Sequence, residues 1–256
     1  MIAPGCIETV RRRSGAALSG LVRLPNEAAT GWLVSVHGIS RRARQHAELM
    51  APVAEELGLA LAAPRFSEAR FPRYQRLAAE GPGGAPDLTL LRWLDQLAAD
   101  TGISADRIVL VGFSGGAQFA HRFALRHPTR VRGYVSVAAG WYTWPTGTRR
   151  FPHGAAGNPP ADLRSWLSIP CRVLVGERDD VVDAATRQAP RLTLRQGATR
   201  LQRACAWTMA MNDAAAQFGL PPPCTLAVLP ACGHSFRQCM TRGGLPAQVA
   251  QAVRGW

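Results

Sequence analysis

Lysine is absent from this 256-residue sequence. All 30 Lys-plus-Arg positions are arginine, against 17 acids, which leaves a formal charge of +13. A charge of this sign first suggests a nucleic-acid partner. Complete exclusion of lysine, in a chain rich in Ala, Gly and Pro, points instead to coding bias in a GC-rich genome. The arginines are also dispersed. Their densest clusters are Arg11-Arg12-Arg13, Arg41-Arg42 with Arg44, and Arg149-Arg150. None has the aromatic interleaving of a single-strand binding surface. The expectation is a solvated basic surface and no nucleic-acid partner.

Long apolar runs are also missing. None approaches the roughly 20 residues that span a bilayer, so no membrane partner is expected. The stretch from Met1 to Gly20 has no apolar leader segment, because Arg11, Arg12 and Arg13 fall where it would lie. The six cysteines form no CxxC pair and no zinc-like spacing with histidine. A chain of this length does not need disulfides to fold. The expectations are a cytoplasmic protein with reduced thiols, no metal and no cofactor.

What is present is an alternation. Apolar runs at Trp32–Val36, Leu59–Ala63, Ile108–Val111, Val131–Ala139, Val173–Val175 and Leu226–Leu229 read as buried strands. Helical spacing lies between them at 46–57, 87–99, 115–126, 191–218 with a break near Gly197, and 245–254. Continuous apolar strands separated by helices predict a mostly parallel sheet covered on both faces. Glu8–Val10 and Leu18–Leu24 predict an antiparallel hairpin turned around Ser14-Gly15. No linker divides the chain, so residues 1–256 are expected to form one α/β domain. Two irregular stretches, 65–86 and 140–170, follow strands at their carboxyl ends, where open α/β sheets bind ligands.

The strongest motif is Gly112-Phe113-Ser114-Gly115-Gly116, which follows one apolar run and opens a helix. G-x-S-x-G in that context places a serine hydroxyl on a strained turn above the sheet. A serine needs a base. His234, in Ala231-Cys232-Gly233-His234-Ser235 after the last run, is the best placed of six histidines. The base needs a carboxylate. Glu177, Asp179, Asp180 and Asp183 all follow the fifth run. Asp179 is best placed and Asp180 next, and the spacing alone leaves the choice open. His37-Gly38-Ile39-Ser40 follows the first strong strand, so the Ile39 amide, with that of Gly115, is expected to form an oxyanion hole. Phe113, Trp141, Tyr142 and Trp144 are expected to line an acyl or aromatic pocket, with coverage of the core edge an equal alternative for Trp141, Tyr142 and Trp144. Arg41, Arg42 and Arg44 are expected to be a solvated helix start, with reception of a carboxylate or an acidic polymer at the site mouth as the alternative.

The set HGIS, GFSGG, GERDD and CGHS, in this order, resembles the α/β-hydrolase superfamily over roughly residues 25–255. The compact layout is similar to esterases of the polyhydroxybutyrate-depolymerase and feruloyl-esterase type. The resemblance implies an α/β-hydrolase fold with Ser114 as nucleophile, Asp179 as acid and His234 as base, and Ile39 and Gly115 as oxyanion donors. It also implies hydrolysis of a small-molecule or polyester ester through an acyl-enzyme. Thioester, amide or peptide cleavage would use the same residues. The short 140–170 stretch leaves no room for a large cap domain.

Overall fold

The computed structural model describes residues 2–11, 18–157 and 162–256. Eight strands form one sheet in the order β1-β2-β4-β3-β5-β6-β7-β8. They are β1 (Glu8–Arg11), β2 (Ser19–Arg23), β3 (Trp32–Val36), β4 (Ala60–Arg65), β5 (Ile108–Phe113), β6 (Val131–Val137), β7 (Cys171–Gly176) and β8 (Cys224–Leu229). The pairs β1/β2 and β2/β4 are antiparallel. The remaining pairs are parallel. The expected N-terminal hairpin is therefore present, with Glu8 opposite Val22 and Arg11 opposite Ser19. Its predicted turn at Ser14-Gly15 lies outside the described residues.

The helices are α1 (Ala43–Glu56), α2 (Pro86–Thr101), α3 (Gly115–Arg126), α4 (Leu163–Leu167), α5 (Pro190–Gln196), α6 (Arg200–Gln217), α7 (Phe236–Thr241) and α8 (Leu245–Arg254). They cover both faces because the strands alternate their side chains between two apolar layers. Val34 and Leu110 face the layer that holds Trp93, Phe119, Trp166 and Trp207 of α2, α3, α4 and α6. Leu33, Val109 and Val111 face the layer of α1 and α8, with Met50, Val53 and Val249. The break expected near Gly197 separates α5 from α6, where Gly197 has φ +100°. Among the described residues, 140–170 holds only the five-residue α4 and two isolated bridges, and no cap domain. Likewise, no described helix is long and apolar enough to cross a membrane.

Helix α3 seats against the sheet with almost no clearance. A Cβ on Gly116 would lie 2.0 Å from the Val36 carbonyl oxygen, and one on Gly112 would lie 2.1 Å from the Gly116 oxygen. Both contacts are with backbone, so neither neighbour can swing aside. The glycines of the motif thus let α3 and β3 touch and fix where α3 begins.

Three histidines are buried here: His37, His46 and His121. The His37 ring donates from Nδ1 to the Gly38 carbonyl at 2.8 Å and accepts at Nε2 from the Phe66 amide at 3.1 Å. Burial away from water, with smaller contributions from nearby arginines, lowers its pKa to about 4. Burial also holds His46 and His121 well below the ordinary value. The unfolded chain protonates these rings near pH 6.5, whereas the folded chain resists. Stability present above about pH 6.5 is therefore lost as pH falls toward about 4.

Two outcomes are expected. Gly116→Ala should destabilise the chain by about 3 kcal/mol in urea unfolding, because overpacking against backbone has no cheap relaxation; a change within experimental error would contradict the close approach. Lowering pH from about 7 to about 5 should remove about 2 kcal/mol through His37 alone. Equal unfolding free energies at the two pH values would contradict its neutral burial.

Candidate active site

Ser114 occupies the turn between β5 and α3, with φ 55° and ψ −111°. Positive φ is costly for a non-glycine residue and persists only where packing enforces it. The enforcement is visible: the Ser114 amide donates to the Val137 carbonyl at 2.8 Å, and the glycines on either side clamp helix to strand. The hydroxyl meets His234, whose Nε2 lies 3.0 Å from Ser114 Oγ. His234 Nδ1 lies 2.7 Å from Asp179 Oδ2. The Phe113 ring stacks on the imidazole with centroids 4.9 Å apart, so the ring is held on its face as well as at both nitrogens.

The loops that carry Asp179 and His234 are stitched together. The Arg178 amide donates to the Cys232 carbonyl, and the Ala231 amide donates to the Glu177 carboxylate, each at 3.0 Å. Gly176 permits this approach, since a Cβ there would lie 2.4 Å from the Cys232 oxygen. Cys232 and Cys239 are both free thiols with sulfurs 3.7 Å apart, and Cys224 is free as well.

Four acids compete in sequence, and contacts separate them. Asp179 is 1% exposed and is the one that reaches His234. Asp180 accepts from the Thr199 hydroxyl instead. Glu177 is engaged by the Ala231 amide. Asp183 forms an ion pair with Arg200, whose hydrogen bonds hold its carboxyl well below the usual range. Arg200 lies outside the four motifs HGIS, GFSGG, GERDD and CGHS. It is buried, and its Nη1 donates to Asp179 Oδ1 at 2.9 Å and to Asp183 Oδ2 at 3.0 Å. The signal lay in Thr199-Arg200-Leu201-Gln202, which has capping-box spacing and forms a capping box at the start of α6.

The Ile39 loop packs against the start of α3: a Cβ built on Gly115 would lie 3.3 Å from the Ile39 amide nitrogen. Neither the Ile39 nor the Gly115 amide donates a hydrogen bond among the described residues. The loop that carries Ile39 is fixed from below. The Tyr74 hydroxyl donates to the His37 carbonyl, and His37 is anchored as described. Arg41 departs from the expectation of a solvated helix start. With φ 57°, it turns its guanidinium onto the carbonyls of Phe66, Phe71 and Pro72 and onto Glu68. It ties the loop that carries Ile39 to the 65–86 segment, while Arg42 and Arg44 remain exposed as expected.

A cleft of about 390 Å³ opens over Ser114 and His234, lined also by Ile39, His46, Phe113 and Phe236. Of the four aromatic residues expected to line a pocket, only Phe113 reaches it. Tyr142 is fully buried and stacks on Trp207 at 4.4 Å. Trp141 is 5% exposed and lies under Arg122, and Trp144 packs against the core beneath Arg195. The strand β6 delivers these rings toward the α3–α6 layer rather than over the elbow. His46, Phe236 and Ala185 take their place in the wall.

The sequence profile of the alpha/beta hydrolase fold family matches residues 44–169. No curated protein sequence matches the chain. Among solved structures, poly(aspartic acid) hydrolase-1 from Sphingomonas sp. KT-1 aligns with TM-score 0.81 and 24% identity over 97% of this chain and 98% of its own. A poly(3-hydroxybutyrate) depolymerase from Bordetella parapertussis aligns with TM-score 0.78 and 25% identity over 96% and 95%. A ferulic acid esterase aligns with TM-score 0.63 and 14% identity over 98% of each. Sheet order, elbow and profile agree: the chain is an α/β-hydrolase-fold protein.

Proposed function

We propose that this protein is a serine hydrolase that cleaves carboxylic esters through an acyl-enzyme. The observation that carries the reading is the continuous relay Asp179–His234–Ser114, at 2.7 and 3.0 Å. With Nδ1–H donated to Asp179, the Nε2 lone pair accepts the Ser114 proton as Oγ attacks the substrate carbonyl. The Ile39 and Gly115 amides receive the developing oxyanion, each such donor typically contributing about 3 kcal/mol. The alcohol departs with the proton from His234, and water then enters by the same route to release the acid. The steps need neither metal nor organic cofactor. The depolymerase and esterase among the similar structures support an ester or polyester substrate.

A second reading keeps the machinery and changes the bond to an amide. The similarity to a poly(aspartic acid) hydrolase favours it over a thioester. His234 would then protonate a leaving amine. Matched ester and amide substrates with one acyl group separate the two readings by their kcat/KM.

Ser114→Ala should reduce kcat for p-nitrophenyl acetate by about 10⁴-fold or more, with the fold intact by circular dichroism. Undiminished turnover would overturn the assignment. Asp179→Asn should cost about 10⁴-fold through the wrong tautomer, and Asp180→Asn less than about tenfold. Equal losses in the two variants would contradict the separation of their roles.

A further inference from the structure

Ala185 lines the cleft over Ser114, and two residues later Arg187 lines a second cavity of about 620 Å³. Two residues of chain span at most about 7 Å, so one short segment carries a lining residue of each cavity. One wall of the second cavity is the segment with Arg149, Arg150 and His153, and the other runs from Arg187 through α5. Arg187, Arg191 and Arg195 recur every fourth residue along that wall. The last two share one face of α5. Among the described residues, no acid lines the cavity. None of these five arginines has an ion-pair partner among the described residues.

The positive charge continues next door. A smaller cavity of about 260 Å³ shares His153 and Arg187 and adds Arg76, Trp141 and Arg126, the last of which is paired with Asp87. Its one acid, Glu80, is taken by Arg73. Against Trp141, the buried Arg122 guanidinium lies 4.0 Å from the ring centroid and leaves Nη2 without a partner. Burial first, then the charges of Arg187, Arg122, Arg76 and Arg149, depress the His153 pKa below its ordinary value. Guanidinium groups that repel one another across a concave, acid-free site are stabilised by an anion between them.

We propose that this cavity binds a carbon chain carrying repeated carboxylates, such as an acidic peptide, and presents it to the Ser114 cleft. Ala189, Pro190 and Leu192 line the same cavity and give the carbon backbone an apolar surface between the charges. Nucleic acid fits less well, because base stacking needs free aromatic faces. Trp141 lies between Arg122 and a stacked His153, and Trp144 lies under Arg195. That the bound chain is also the substrate rests on the hydrolase reading; binding itself does not.

The test is fluorescence anisotropy of a fluorescein-labelled peptide of about twelve glutamates against the Ser114→Ala protein, so that no turnover intervenes. Saturable binding that weakens with salt is expected. Arg191→Gln with Arg195→Gln should weaken it about tenfold or more, as should Arg149→Gln with Arg150→Gln on the opposite wall. The exposed pair Arg92→Gln with Arg107→Gln, remote in sequence, should change Kd by less than about twofold. No binding, or equal losses from all three pairs, would overturn the site. Tighter binding of polyphosphate or of a single-stranded oligonucleotide of equal charge would overturn the carboxylate assignment. Peptide binding in a protein whose wild type hydrolyses no ester or amide would sink the hydrolase reading and leave the site standing.

Discussion

Backbone contact between α3 and β3 is the constraint on which the rest of this structure depends. Because Gly116 meets the Val36 carbonyl with no room for a methyl group, α3 can begin at only one place. That placement forces Ser114 to φ 55° and leaves the Gly115 amide pointing away from the helix without an intrahelical acceptor. The same carbonyl edge continues into His37 and Gly38, so the second amide, from Ile39, is fixed relative to the first. The positions of Ser114 and of the Ile39 and Gly115 amides are therefore consequences of one packing contact rather than separately adjusted features.

A second constraint acts at the far end of the relay. Asp179 is buried, and burying a carboxylate requires that each oxygen be satisfied. One oxygen takes His234 and the other takes Arg200. Arg200 in turn spans to Asp183, so the acid's orientation depends on where α6 starts, which the Thr199 capping box sets. The run of four acids after β7 is thereby resolved into different contacts: one faces His234, one accepts from Thr199, one pairs with Arg200 and one holds the His234 loop. The charge of the chain divides in the same way. Arg41, Arg122 and Arg203 are interior ties to carbonyl oxygens, whereas Arg149, Arg187, Arg191 and Arg195 surround a cavity.

The parts legible in the sequence were those with a local physical signature. Strands buried on both faces must be continuously apolar, so β3, β5 and β6 stood out, and the glycines around Ser114 marked its turn. The N-terminal hairpin showed as two runs that pair in register. Loop trajectories have no such signature. The choice of Asp179 over Asp180 depends on Thr199 and Arg200, some twenty residues away in sequence. The sequence likewise cannot say to which layer β6 delivers Trp141, Tyr142 and Trp144. Tyr142 and Trp144 went to the core and Trp141 lies beneath Arg122, while His46 and Phe236, from α1 and α7, came to the cleft. Arg41 looked like its exposed neighbours because a positive φ, which turns it inward, leaves no mark on composition.

The central claim is that Ser114 is the residue acylated during turnover. Intact-mass and peptide-mapping spectrometry after treatment with diisopropyl fluorophosphate tests it most directly. The account predicts one adduct per chain, located on Ser114 and lost when His234 is replaced by Ala. An adduct on another residue, or no adduct in protein that still hydrolyses esters, would contradict it.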